Sequence, residues 1–179
     1  MSNIAPSHEA TDAPGDQGPR GRQRLNKQQR DRALGAVLGA ATGDALGAPY
    51  EFEPPIADSD DVAMAGGGQL GWKPGEWTDD TAMAIVILRA AAHSEHTAPF
   101  ERESALDAIA AGWFQWSRET PDIGILTSSV LLAALETAEA HGNSVPSGRD
   151  MHEAARVINQ ERHHTAGNGG LMRAYAVVL

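Results

Sequence analysis

The chain is 179 residues long and 41% hydrophobic, with no apolar stretch near the ~20 residues of a membrane span, so it reads as one soluble globular domain with a sizeable core. Its 14 Lys and Arg stand against 24 Asp and Glu, and the net charge of −10 makes nucleic acid an unlikely partner and favours cations. The absence of cysteine excludes disulfides, thiol nucleophiles and thiolate metal sites.

The imbalance sits in the body of the chain: residues 1–32 hold six basic and four acidic side chains, leaving eight against twenty for residues 33–179. No charged start followed by an apolar stretch and a small-residue cleavage site marks a secretory signal, so the expected location is cytoplasmic. Residues 1–24 mix Pro, Gly, Ser and charge with almost no large apolar side chains and are expected to be a disordered tail, its arginines in water rather than on a partner.

From Asn26 to Gly43 the pattern turns helical, with Leu34, Val37 and Leu38 among Ala and Gly. Gly35, Gly39, Gly43 and Gly47 recur every four residues, and each costs ~1 kcal/mol of helix propensity relative to Ala. That spacing predicts a tightly packed core helix closely approached by another backbone; the charge-free run from Ala33 to Gly43 is too short to cross a membrane. Pro49 pushes Ala48 out of helical geometry. Asp44 and Glu51 then stand at the end of an apolar helix, each either a site residue or a surface charge. Residues 53–76, with Pro54-Pro55, an Asp58-Ser59-Asp60-Asp61 patch, Gly66-Gly67-Gly68 and Pro74-Gly75, read as a long irregular loop whose acidic patch is a solvated turn.

The next element begins at Thr78. Ala82 to Leu88 are all apolar, which predicts a buried helix; Thr78 is its expected N-cap, and Asp79 and Asp80 suit the positive end of its dipole. Adjacent carboxylates at the mouth of a core helix have two readings. Either they cap the helix and face water, or they hold a hard divalent cation such as Mg²⁺ or Mn²⁺, which relieves their repulsion and lost hydration.

His93 to Pro99 reads as a connector whose two histidines, three apart, lack zinc-site spacing. Residues 100–118 are amphipathic, with Leu106, Ile109, Trp113 and Phe114 near one face and Trp116 off it. A turn at Pro121 to Gly124 precedes a helix from Ile125 to Ala140 that Gly142 stops, and another follows from Arg149 to Asn159. No sustained period-2 pattern appears, so the predicted fold class is all-α. The last segment, His163-His164-Thr165-Ala166-Gly167-Asn168-Gly169-Gly170-Leu171-Met172-Arg173, opens an apolar helix with a glycine turn. Such a turn either receives a phosphate on its free amides or is a plain loop, and Arg173 is either a charged fork beside it or solvated.

Three stretches together resemble one family, the ADP-ribosylglycohydrolases, to which the dinitrogenase-reductase-activating glycohydrolase belongs. Gly43-Asp44-Ala45-Leu46-Gly47 with Glu51, Trp77-Thr78-Asp79-Asp80-Thr81, and Gly167-Asn168-Gly169 with Met172-Arg173 match its motifs in order and approximate spacing over residues 30–179. The resemblance implies a compact all-helical bundle spanning residues 25–179. It also implies two divalent ions, Mg²⁺ or Mn²⁺, with Thr78, Asp79, Asp80 and Glu51 as metal-site residues and Glu51, Asp79 and Asp80 as the catalytic set. Gly167, Asn168, Gly169, Gly170, Leu171 and Met172 would hold the diphosphate and ribose of the substrate. The implied reaction is hydrolysis of the glycosidic bond between ADP-ribose and a modified protein side chain, arginine first; the implied partner is an ADP-ribosylated protein or ADP-ribose itself, with no membrane involved. The family's second metal motif, Asp-x-Asp-Thr, is missing, for no carboxylate follows Arg173. The expectation is therefore a truncated N-terminal portion with about half the coordination shell. The alternative is an inactive ADP-ribose-binding or structural protein of the same fold.

Overall fold

The computed structural model describes residues 25–58, 60–93, 100, 102–162, 165 and 167–178. The expectations for the tail at 1–24, the connector at 94–99 and the pair His163 and His164 lie outside the described residues.

Asn26 opens helix α1 (Lys27–Gly47) with a reciprocal cap: its side chain accepts from the Gln29 amide and the Gln29 side chain accepts from the Asn26 amide, both at 2.8 Å. The helix runs one turn past the expected end and passes into a 3-10 turn (Ala48–Tyr50) at Pro49. The prediction of a tightly packed core helix fails. Leu34 and Leu38 are 60% and 65% exposed, and a Cβ added at Gly35, Gly39, Gly43 or Gly47 would meet nothing within 4 Å. A four-residue spacing says which residues share a side of a helix, not whether a neighbour lies against that side. Only the C-terminal end of α1 packs, with Ala45 buried, against helices α2 and α6.

Helix α2 (Asp79–His93) is the central element and buries Thr81, Met83, Ala84 and Ile87. It packs on α3 (Glu103–Ser117), and the close approach occurs there: a Cβ at Gly112 would come within 2.5 Å of the Val86 side chain. Ala84, Ile87, Ile109 and Ala176 form the innermost cluster, with Trp113, Phe100 and Tyr175 against it. Helix α4 (Ile125–Ala140) ends before Gly142 in the left-handed region (φ 81°), and α5 (Gly148–Glu161) starts at Ser147, whose side chain caps with Asp150. Helix α5 joins α4 to α3, where the Gly148 amide donates to Asp107 at 2.8 Å. The chain then closes through a 3-10 turn (Asn168–Gly170) and the short helix α6 (Tyr175–Val178), which lies on α2 and α1. The described residues contain no strand, only an isolated bridge between Gly67 and Trp72, so the all-α expectation holds. None of the helices is long and apolar enough to cross a membrane.

The loop between α1 and α2 is a clamp on the segment that carries Glu51. The Tyr50 hydroxyl donates to the Ala63 carbonyl and accepts from the Ala63 amide, both at 2.9 Å, and the Gln69 amide group donates to the Phe52 carbonyl at 2.9 Å. Gly68 (φ 68°) sits so close to Pro49 that a Cβ there would be 2.8 Å from the Pro49 carbonyl oxygen. Phe52, beside Glu51, is held at φ 64°, a conformation that a bulky residue adopts only when its surroundings impose it. Gly68→Ala is therefore expected to lower the melting temperature by roughly 3–10 °C, from a strained φ and a backbone clash of about 1–3 kcal/mol. Scanning calorimetry checks this, and an unchanged transition would mean that the loop is not a clamp.

Candidate functional site

The first amides of α2 have no partners inside the helix and need acceptors from elsewhere. Thr78 does not supply one with its own hydroxyl, as its sequence position suggested. Asp44 reaches across from α1 instead: its carboxylate accepts from the Thr78 amide at 3.0 and 3.1 Å, from the Thr78 hydroxyl at 2.7 Å and from the Thr81 amide at 3.0 Å. A charged acceptor at the positive end of the dipole outcompetes a neutral hydroxyl, so Thr78 donates where it was expected to accept. Asp122, from the turn between α3 and α4, accepts from the Asp79 amide at 3.3 Å. Two carboxylates from distant parts of the chain thus tie down the start of α2.

Asp79 and Asp80 are half-buried at that same end, among Asp44, Asp122 and Glu51. Burial pushes the Asp79 carboxyl up to about 7, and Asp122, Asp80, Glu51 and Asp44 push the same way. Asp80 is raised by burial, then by Asp44 and Asp122, while the Arg173 cation pulls it back. Glu51 is exposed as a residue, yet partial loss of water raises its carboxyl, with Asp122, Asp80 and Asp44 adding to the shift. The Tyr175 hydroxyl is raised by burial and by Asp44 and Asp80, which brings α6 to the same cluster. Thr78, Asp79, Asp80 and Glu51 are therefore gathered at one end of the bundle. Asp44, Asp122 and Tyr175 join them, and no local signal in the sequence singled out Tyr175.

The glycine turn lies beside this cluster and is linked to it by Arg173. A Cβ on Gly167 would touch Leu126 of α4 at 3.8 Å, and one on Gly169 would lie 3.6 Å from Arg173 Nη1 and 4.0 Å from Met172 Sδ. Asn168 and Gly170 are exposed and Leu171 is 79% exposed, so the turn presents its outer side to solvent. Arg173 is not in open water. Its guanidinium lies over the Trp113 ring, 4.8 Å from the centroid, and donates to Met83 Sδ at 3.2 Å. The Trp113 indole N–H donates to the Met83 carbonyl at 3.0 Å, which fixes ring, thioether and guanidinium together.

A cluster of oxygen donors in which Asp79, Asp80 and Glu51 have raised proton affinity has the chemistry of a site for a hard divalent cation. The buried Thr81 hydroxyl, without a hydrogen-bond partner among the described residues, is a further oxygen on the residue whose amide Asp44 holds. Among the described residues, however, no three His, Asp or Glu side chains converge tightly enough to enclose an ion. The donors are of the type that such a cation takes, and alone they do not enclose one. A separate groove of about 810 Å³ runs between α2 and α3, lined by Trp77, Ile85, Arg89, Trp116 and neighbours, and includes none of the five carboxylates. Chemistry rather than volume locates the candidate site.

The family model of the ADP-ribosylglycohydrolases matches residues 25–179. A protein of Acanthamoeba polyphaga mimivirus bearing that family's name is 29% identical over 163 residues, which is 86% of this chain and 43% of its own length. The ADP-ribosyl-[dinitrogen reductase] glycohydrolase of Rhodospirillum rubrum is 52% identical over 66 residues, 35% of this chain and 22% of that protein. A solved ADP-ribosylglycohydrolase-related protein complex superposes with a TM-score of 0.55 at 32% identity, covering 86% of this chain and 44% of that one. The chain thus spans less than half the length of the relatives it matches.

Asp44→Ala removes the acceptor of two amides and one hydroxyl and is expected to destabilise the protein by about 1–3 kcal/mol, or roughly 3–10 °C in melting temperature. The raised Asp79 gives a second expectation. Its folded-state value of about 7, against an ordinary 3.8, means that the folded state holds the proton more tightly. This contribution to stability is complete below the ordinary value and is lost as pH rises to about 7. Asp79→Asn should therefore stabilise the metal-free protein at pH 8 by about 1–2 kcal/mol, discounted for the half of the side chain that faces water, and the gain should shrink by more than half at pH 5. Melting curves in chelator at both pH values test the sign.

Proposed function

The chain belongs to the ADP-ribosylglycohydrolase family, and from that premise we propose that it forms the acidic part of a site that hydrolyses the glycosidic bond between ADP-ribose and a modified protein side chain. Arginine is the proposed acceptor, because a relative in Pseudomonas putida, 50% identical over 62 residues covering 34% of this chain and 16% of that protein, is named ADP-ribosylarginine hydrolase. The observation that carries this reading is the grouping of Asp79, Asp80, Glu51, Asp44 and Asp122 around the start of α2, with Arg173 acting on Asp79 and Asp80 and lying against Gly169 of the glycine turn.

Breaking an N-glycosidic bond at the anomeric carbon of ribose passes through an oxocarbenium-like state and needs a positioned water and negative charge near the developing cation. Thr78, Asp79 and Asp80, with Glu51 at the edge, are the residues that would hold Mg²⁺ or Mn²⁺, completed by further oxygen ligands. When bound, such an ion orients hydroxyls and lowers the pKa of water. The chain's own residues do the rest. Glu51, held by the clamp of the long loop, is the group that accepts a proton from the attacking water. Its raised proton affinity brings it nearer the working pH than an ordinary carboxylate, which suits a general base. Asp44 and Asp122 hold the start of α2 in place through its amides, which fixes the backbone that carries Asp79 and Asp80. The turn from Gly167 to Met172 receives the diphosphate side of the substrate.

A second reading has one observation in its favour. Because no three ligating side chains close on a common point among the described residues, the chain can retain ADP-ribose without turning a substrate over. Release of ADP-ribose from ADP-ribosylated arginine in the presence of Mn²⁺ or Mg²⁺ decides between them. Turnover that falls about 100-fold or more in Asp79→Ala and Asp80→Ala is the expected result, while binding with no release in the unaltered chain favours the second reading.

A further inference from the structure

We propose that Arg173 is the anion-receiving residue of this site, taking the charge of the ligand's phosphate groups where the glycine turn meets the acidic cluster; the identity of the anion rests on the ADP-ribosyl reading above. Four observations carry it. The guanidinium has five N–H donors, and among the described residues its side chain makes a single hydrogen bond, to the weak acceptor Met83 Sδ at 3.2 Å. It forms no ion pair there, although Asp79 and Asp80 are near enough to act on it. A half-buried cation that is not ion-paired with two nearby carboxylates leaves most of its donors unused among the described residues.

Its seat explains why it does not collapse onto the acids. The Trp113 face holds the guanidinium at 4.8 Å, and the ring is itself locked by its bond to the Met83 carbonyl at 3.0 Å. Trp113 lies on α3 and Met83 on α2, so three separate parts of the chain fix one charge. The guanidinium lies against the turn at a glycine: Nη1 and Nη2 are 3.6 and 3.9 Å from where a Cβ of residue 169 would stand. A longer side chain at that position would cover the fork. Finally, the electrostatics demand a local cation. Where no cation occupies the cluster, a phosphate approaching its ionised carboxylates is repelled, and Arg173 is a cation that acts on both Asp79 and Asp80. Arginine suits the role because its fork matches two phosphate oxygens at once.

Calorimetry with three probes, ADP-ribose, inorganic pyrophosphate and adenosine, tests the assignment on the full chain and on Arg173→Met and Arg173→Lys. The expected result is that Arg173→Met binds ADP-ribose and pyrophosphate about 10–100-fold more weakly, with adenosine affinity unchanged within about twofold. Arg173→Lys, which keeps the charge and loses the fork, should fall between, at about 3–10-fold, and it decides the matter by the same rule if Arg173→Met does not fold. Unchanged ADP-ribose affinity overturns the proposal, as does a parallel loss for adenosine, the sign of a residue that only supports the fold. Pyrophosphate binding that depends on Arg173, in a chain that ignores ADP-ribose, would sink the ADP-ribosyl reading and leave this one standing.

Discussion

The Asp44 carboxylate at the N-terminus of α2 is the interaction on which the rest of the arrangement depends. One side chain from the end of α1 satisfies the Thr78 and Thr81 amides and the Thr78 hydroxyl. It thereby fixes the crossing of α1 and α2 at the point where Asp79 and Asp80 emerge. A helix start capped from within would be free to slide against its neighbours. One capped from another helix is not, because moving either element strands buried donors.

That solution brings its own problem, since each added carboxylate raises the energy of the others. Asp79 is driven to about 7 by burial and by its four acidic neighbours. Such a cluster is tolerable where a charge of opposite sign comes to it, and the chain itself brings Arg173, seated on Trp113 rather than paired with an acid. Negative and positive charge therefore stand side by side at this end of the bundle.

The long connection from Glu51 to Trp77 has a structural purpose that its composition hides. Its glycines at 66, 67, 68 and 71 take positive φ, and Gly68 abuts the backbone of Pro49, so the loop folds back on the segment it leaves. The consequence is a defined position for Glu51 despite its exposure. Phe52, in a left-handed conformation beside it, marks where that constraint is concentrated.

Much of this protein was legible in its residues alone. The helical periods, the apolar run of α2, the stop at Gly142 and the all-α class follow from local physics, in which side chains three and four apart share a face and glycine ends a helix. The ordered motifs at Asp44, at Thr78 to Thr81 and at Gly167 to Arg173 likewise pointed to one family. The tertiary structure decided the rest. It showed that the glycine stripe of α1 is open on its outer side while Gly112 and Gly148 are the helical glycines pressed against a neighbour, that Asp44 and not Thr78 caps α2, and that Arg173 rests on Trp113. Those outcomes depend on which distant element arrives at a given surface, and a spacing pattern encodes only the surface. Proton affinity, capping and the seat of a cation are properties of neighbours in space, and the neighbours are chosen by packing.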